Sequence, residues 1–160
     1  MTSSIVLLTE QALSAGDAAR LVALHGPEGS DYRVLVPQDP HANLLADVLD
    51  HLSLLELREA LDAVRARRHP ERDEYPAGET LDASLQRLRE AGAGADGRVV
   101  DGDPIVAVAD ELAERPADEV VVVTRPHAVE DTFHTDWASR AREHLGVPVL
   151  HVYAGSNWVG

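Results

Sequence analysis

Cysteine is absent from all 160 residues. That excludes a disulfide framework, a zinc–thiolate site and a thiol nucleophile. Aromatic residues supply only 4% of the chain, so a core has to be assembled from Leu, Val and Ala. Basic charge is scarce: 14 Lys plus Arg face 28 Asp plus Glu, a formal net charge of -14. Binding to nucleic acid or to anionic lipid rests on Lys and Arg neutralising phosphate. A surface this acidic opposes both, and its ordinary consequence is solubility. No apolar run is long enough to span a bilayer, and residues 1–11 lack the basic segment and apolar stretch of a signal peptide. A cytoplasmic location is the expectation, in keeping with the missing disulfides.

What is present is the balance of a soluble globular chain, 44% hydrophobic and 26% charged, at a length that fits one domain over residues 1–160. The short apolar run SIVLLTE, residues 4–10, predicts a buried strand. Residues 12–24 carry Leu13, Ala18, Leu21 and Val22 at helical spacing, with His25-Gly26-Pro27 as a stop. YRVLVP, residues 32–37, predicts a second buried strand of the kind found in a covered parallel sheet. A helical pattern over residues 43–68 and another over residues 79–91 follow, the latter with Thr80 as its expected cap. AGAGADG precedes a strand instead of joining a strand to a helix. It is therefore expected to be a linker and not a phosphate loop. RVVDGDP predicts a short third strand and a turn. Asp103 caps the next helix and Pro104 stands at its first position. EVVVVT is the clearest strand, residues 137–145 predict a short helix, and PVLHVYA is the last strand. Strands alternating with helices predict a parallel sheet between two helix layers.

The stretch VVDGDPIVAVADELAERPADEVVVVTRPHAVEDTFHTDWASRAREHLGVPVLHV, residues 99–152, resembles the C-terminal half of a universal stress protein. Gly102-Asp103-Pro104 matches the family's turn, Ala117 to Val122 its fourth strand, Pro148-Val149-Leu150 its fifth, and Ile5 to Leu8 its opening strand. The resemblance implies an α/β fold: a three-layer α/β/α sandwich with a five-stranded parallel sheet of Rossmann-like, nucleotide-binding type. It also implies a homodimer formed through the last strand. An exposed apolar edge is normally paired or covered. Pro148, Val149, Leu150, His151, Val152 and Tyr153 are accordingly expected to pair with their copies, and Trp158 to pack across.

Family members that bind ATP carry a Gly-x-x-Gly loop after the fourth strand and a Gly-Ser or Gly-Thr at the following helix start. Those glycines let backbone N–H groups close on the phosphates, and the helix N-terminus adds positive potential. The matching stretch here, TRPHAVEDTFHTDW, has no glycine. Pro126 removes an N–H donor. Asp136 falls where a phosphate would sit, with Glu130 and Asp131 close by in the chain. A like charge within about 5 Å of a phosphate costs on the order of several kcal/mol at low effective dielectric. The expectation is that the family's ATP mode is lost, no cofactor is held, and Asp136 serves as an N-cap, with Thr132 and Thr135 as rivals.

Strand C-terminal ends line the ligand crevice of an open α/β sheet. Thr9, Glu10, Thr124, Arg125, His127 and Asp136 are thus the candidate crevice residues. Glu10 stands where the family's first strand ends in a nucleotide-contacting Asp. Three other chemistries are open to this cluster by residue type. His127, His134, Glu130, Asp131 and Asp136 are metal-capable types, but their spacing matches no ligand pattern. His127 or His134 with a carboxylate suits acid–base work, but no nucleophile signature accompanies them. Arg125 with protonated histidines suits an anion, against the opposing carboxylates. The reading is a non-enzymatic binding or regulatory protein with no metal site, acting on a small molecule or protein partner. An adenine-nucleotide binder with a rebuilt phosphate loop is the alternative.

Overall fold

The computed structural model describes residues 2–26, 29–38, 76–124 and 144–155. The described elements follow in the order β1 (Ser3–Thr9), α1 (Ala15–Leu24), β2 (Ser30–Pro37), α2 (Ala77–Glu90), β3 (Gly94–Val100), α3 (Pro104–Glu114), β4 (Glu119–Thr124) and β5 (Val149–Tyr153). The expected helices over 43–68 and 137–145 fall wholly or mostly outside the described residues, as does Trp158.

Five parallel strands form one sheet in the order β3-β2-β1-β4-β5. Side chains alternate between the faces of each strand, and this alternation sorts the core into two. Ile5, Leu7, Tyr32, Val34, Val121 and Val123 face one way and meet Ala18 and Leu21 of α1 and Leu85 and Leu88 of α2. Val6, Leu8, Leu35, Val120 and Val122 face the other way and meet Ile105 and Val108 of α3. Helices on both faces give the three layers. Each fully buried Val or Leu contributes about 1.5–3 kcal/mol by leaving water, and the β-branched strands suit a pleated surface covered on both sides.

Local chemistry sets the helix ends. Ser14 opens α1 with a capping box: its hydroxyl accepts from the Asp17 N–H, and the Asp17 carboxylate accepts from the Ser14 N–H. The helix therefore starts at Ala15, three residues later than the apolar spacing implies, and Leu13 is buried ahead of it. Asp103 caps α3 as expected, accepting from Ile105 N at 2.8 Å and Val106 N at 3.4 Å, with Pro104 following.

Two expectations are corrected. Thr80 is not a cap: α2 begins at Ala77 after Pro76, whose carbonyl accepts from Glu79 N and Thr80 N, and Thr80 lies buried within the helix. AGAGADG is a connector only over Ala91, Gly92 and Ala93, because its remainder belongs to strand β3, Gly94–Val100. Gly94 and Gly97 answer a packing need. A Cβ on Gly97 would lie 2.2 Å from the Val34 carbonyl oxygen, and one on Gly94 would lie 1.9 Å from Asp31 Oδ1. Here glycine marks close approach within a strand and not a flexible connection.

Candidate functional site

The chain runs outward from β1 to β2 and β3 on one side and from β4 to β5 on the other. The sheet's switch point therefore lies between β1 and β4, where an open α/β sheet forms its crevice at the strand C-termini. Thr9 ends β1 and Thr124 ends β4, and the pairing of Thr9 with Val123 sets Thr124 level with the half-buried Glu10. The sheet thus brings Thr9, Glu10 and Thr124 together. Arg125, His127 and Asp136 lie outside the described residues.

Both threonine hydroxyls have internal work. Thr9, fully buried, donates through Oγ1 to the Gln11 carbonyl at 2.7 Å and accepts from Gln11 N at 3.4 Å. This closes a tight hydroxyl-stabilised turn after the strand. Thr124 Oγ1 lies 2.7 Å from Nε2 of His151, and both side chains are buried. His151 is buried within the chain against Thr124 and is not an outward-facing group. The apolar run around it in the sequence gave no sign of this pairing.

The N-termini of α1 and α3 at this end of the sheet are also occupied. Asp17 is almost wholly buried at the start of α1. Its carboxylate takes hydrogen bonds from the Ser14 backbone and hydroxyl, pairs with Arg20, and accepts from Gly155 N at 2.9 Å. Burial pushes the Asp17 carboxyl up, but the hydrogen bonds from Ser14 and Gly155 and the charge of Arg20 outweigh it and hold it below its ordinary value. At α3, Asp103 covers the first free amides. α1 and α3 thus present their own carboxylates where an anion would dock, while α2 opens after Pro76 with no side-chain cap.

The opposite end of the sheet holds a charged cluster that the sequence reading passed over. Arg33, inside the strand read as apolar, is 5% exposed. Its Nη1 donates to Glu111 Oε1 at 2.9 Å and to the Arg115 carbonyl at 2.6 Å, and its Nη2 to the Pro116 carbonyl at 3.2 Å and Ser4 Oγ at 3.4 Å. Arg115 and Arg98 share the same Glu111 carboxylate. Burial pushes the Glu111 carboxyl up, and Arg115 and Arg33 together more than reverse it. An arginine in the middle of YRVLVP was the available signal.

Among the described residues no group of His, Cys, Asp and Glu could hold a metal ion, and no helix is long and apolar enough to cross a membrane.

No protein-family model and no curated protein sequence matches the chain. Solved structures do. A hypothetical protein solved as a structural-genomics test case of functional assignment superposes with a TM-score of 0.56 at 13% identity, covering 98% of this chain and 99% of that one. A universal stress protein in complex with cAMP superposes at 0.54 and 15% identity, covering 97% and 100%. A universal stress protein family protein from Arabidopsis thaliana with AMP bound superposes at 0.51 and 13% identity, covering 96% and 94%. The chain has the universal stress protein fold.

Proposed function

We propose that this chain is a dimeric, non-catalytic binding or regulatory protein on the universal stress protein fold, and that its crevice does not take ATP through a glycine cradle. The observation that carries this reading is the state of two of the three described helix N-termini at this end of the sheet, those of α1 and α3. Asp17 and Asp103 already fill them with carboxylates. A triphosphate brought there meets like charge and amides that have partners. The segment after β4, residues 125–143, supplies no glycine to build a substitute nest. Thr9 donates to a backbone carbonyl, and Thr124, although 2.7 Å from the His151 imidazole, is buried with it, 3% and 1% exposed, where no substrate reaches the pair.

The adenine-nucleotide alternative keeps one specific support. Proteins of the same fold have been solved with AMP and with cAMP. A monophosphate carries less charge into an acidic crevice than a triphosphate does. Native mass spectrometry of the freshly purified protein tests both readings. A retained small molecule that is not an adenine nucleotide fits the proposal, and retained AMP or cAMP supports the alternative. Retained ATP with magnesium overturns the proposal.

The proposed dimer uses β5, one of the two edges of the described sheet. The edges differ. At β3, the Arg89 guanidinium donates through Nε and Nη2 to the Ala95 carbonyl at 3.2 and 2.7 Å, and Asp96 and Arg98 add exposed charge. Charged side chains of this kind blunt an edge. At β5 the residues are Val-Leu-His-Val-Tyr, with Leu150 and Tyr153 half-buried. A dimer by analytical ultracentrifugation supports the assignment, and a monomer at high micromolar concentration removes it.

A further inference from the structure

We propose that the N-terminal end of the sheet carries a second binding site, for a small zwitterion of amino-acid type. It is independent of the crevice at the other end. A cavity of about 440 Å³, lined among others by Ser4, Asp31, Arg33, Gly94, Asp96 and Arg115, opens there to solvent. That volume is of the size that takes small molecules.

Three observations give the cavity its chemistry. The register pairs Asp31 with Gly94 and Arg33 with Asp96, so all four residues share the sheet face that carries α3. Because Gly94 has no side chain, the Asp31 carboxylate lies across it; an added Cβ would stand 1.9 Å from Oδ1. Among the described residues Asp96 is held by Arg115 alone, at 3.4–3.5 Å, long for a charge-assisted bond. A cationic group therefore meets the Asp31 carboxylate, with that of Asp96 one diagonal step away on the neighbouring strand.

At the cavity floor the sign changes. Arg33 is 5% exposed, and its two terminal nitrogens are matched to Glu111, Ser4 and two carbonyls, while Nε has no hydrogen-bond partner among the described residues. Arg115, half exposed at the rim, adds a second guanidinium. The lining thus holds two carboxylates and two guanidiniums, and an ion of either sign alone meets repulsion from half of it. A molecule carrying an ammonium and a carboxylate a few ångströms apart answers both, its ammonium on Asp31 and its carboxylate on the Arg115 side.

The test is heteronuclear NMR and calorimetry on the full chain with glycine, L-alanine and L-serine, and with methylammonium and acetate as the two half-molecules. A zwitterion is expected to shift the amides of residues 31, 94–96 and 115, and to bind at least tenfold more tightly than either half. Asp31→Asn removes the ammonium's partner, and Gly94→Ala displaces the same carboxylate without changing charge. Each is expected to weaken binding about tenfold or more. Their unchanged amide spectra away from the cavity would show that the fold persists. The proposal is overturned if no zwitterion shifts these amides at tens of millimolar, if the half-molecules bind equally well, or if Asp31→Asn binds as the parent does.

Discussion

The Arg33 guanidinium and the Glu111 carboxylate meet at 2.9 Å, with side chains 6% and 3% exposed. An ion pair this deep gains little over an apolar pair, because desolvating two charges offsets their attraction. Removing one partner is different, since it strands the other. Glu111→Gln and Arg33→Met are each expected to cost about 3–5 kcal/mol in urea unfolding. The double replacement Arg33→Met with Glu111→Leu is expected to recover most of that loss. Single variants within 1 kcal/mol of the parent would show that the pair carries no such penalty.

The acid limb of the stability curve follows from Asp17 and Glu111. Both carboxyls are held below their ordinary values of 3.8 and 4.5 in the folded chain. A depressed carboxyl contributes stability that is full above its unfolded value and is lost as pH falls through the folded one. Stability is therefore expected to hold down to about pH 5 and to fall below pH 4, by linkage of these groups. Asp17→Asn and Glu111→Gln should each flatten that limb. Denaturant melts at pH 7, 4 and 3 check it.

At alkaline pH the controlling group is Tyr32. Burial pushes its phenol up to about 12, and the nearby Glu119 adds to the shift. Its hydroxyl sits 2.8 Å from Nδ1 of His25, whose Nε2 is 2.9 Å from Glu119. A raised value gives stability that is intact below pH 10 and is lost as pH rises through about 12. Tyr32→Phe should be less stable by about 1 kcal/mol at neutral pH and lose less on going to pH 11.5. Equal slopes for the two proteins would remove Tyr32 from the account.

Glycine substitutions separate packing from backbone freedom. Gly97→Ala drives a methyl toward the Val34 carbonyl oxygen and against Leu81 Cδ1. It is expected to cost at least 1–3 kcal/mol, the usual scale of overpacking. Gly78, in the first turn of α2, has nothing within 4 Å of an added Cβ. Gly78→Ala should stabilise by about 0.4–1 kcal/mol through the unfolded chain. Thermal melts of the pair test the contrast.

The sheet was legible in the sequence because its strands announce themselves by runs such as IVLL and VVVV, and because Asp103-Pro104 marks a helix start by its chemistry. The start of β3 was not legible. Gly94-Ala95-Asp96-Gly97 has the composition of a linker, and only the nearness of Asp31 and Val34 explains its glycines. Arg33 was passed over because its apolar neighbours set the character of the run, and its partner Glu111 lies 78 residues away. At the crevice, Thr9, Glu10 and Thr124 could be placed from their strand ends. That the two hydroxyls turn inward depends on the Gln11 turn and on His151, which no periodicity reports.

Isothermal titration of the full chain with ATP and magnesium tests the central claim most directly. With Asp17 and Asp103 filling the N-termini of α1 and α3 and no glycine in residues 125–143, no saturable heat is predicted at ligand concentrations up to about 1 mM, a threshold corresponding to roughly 4 kcal/mol of binding free energy. A magnesium-dependent isotherm with a micromolar midpoint would contradict the account.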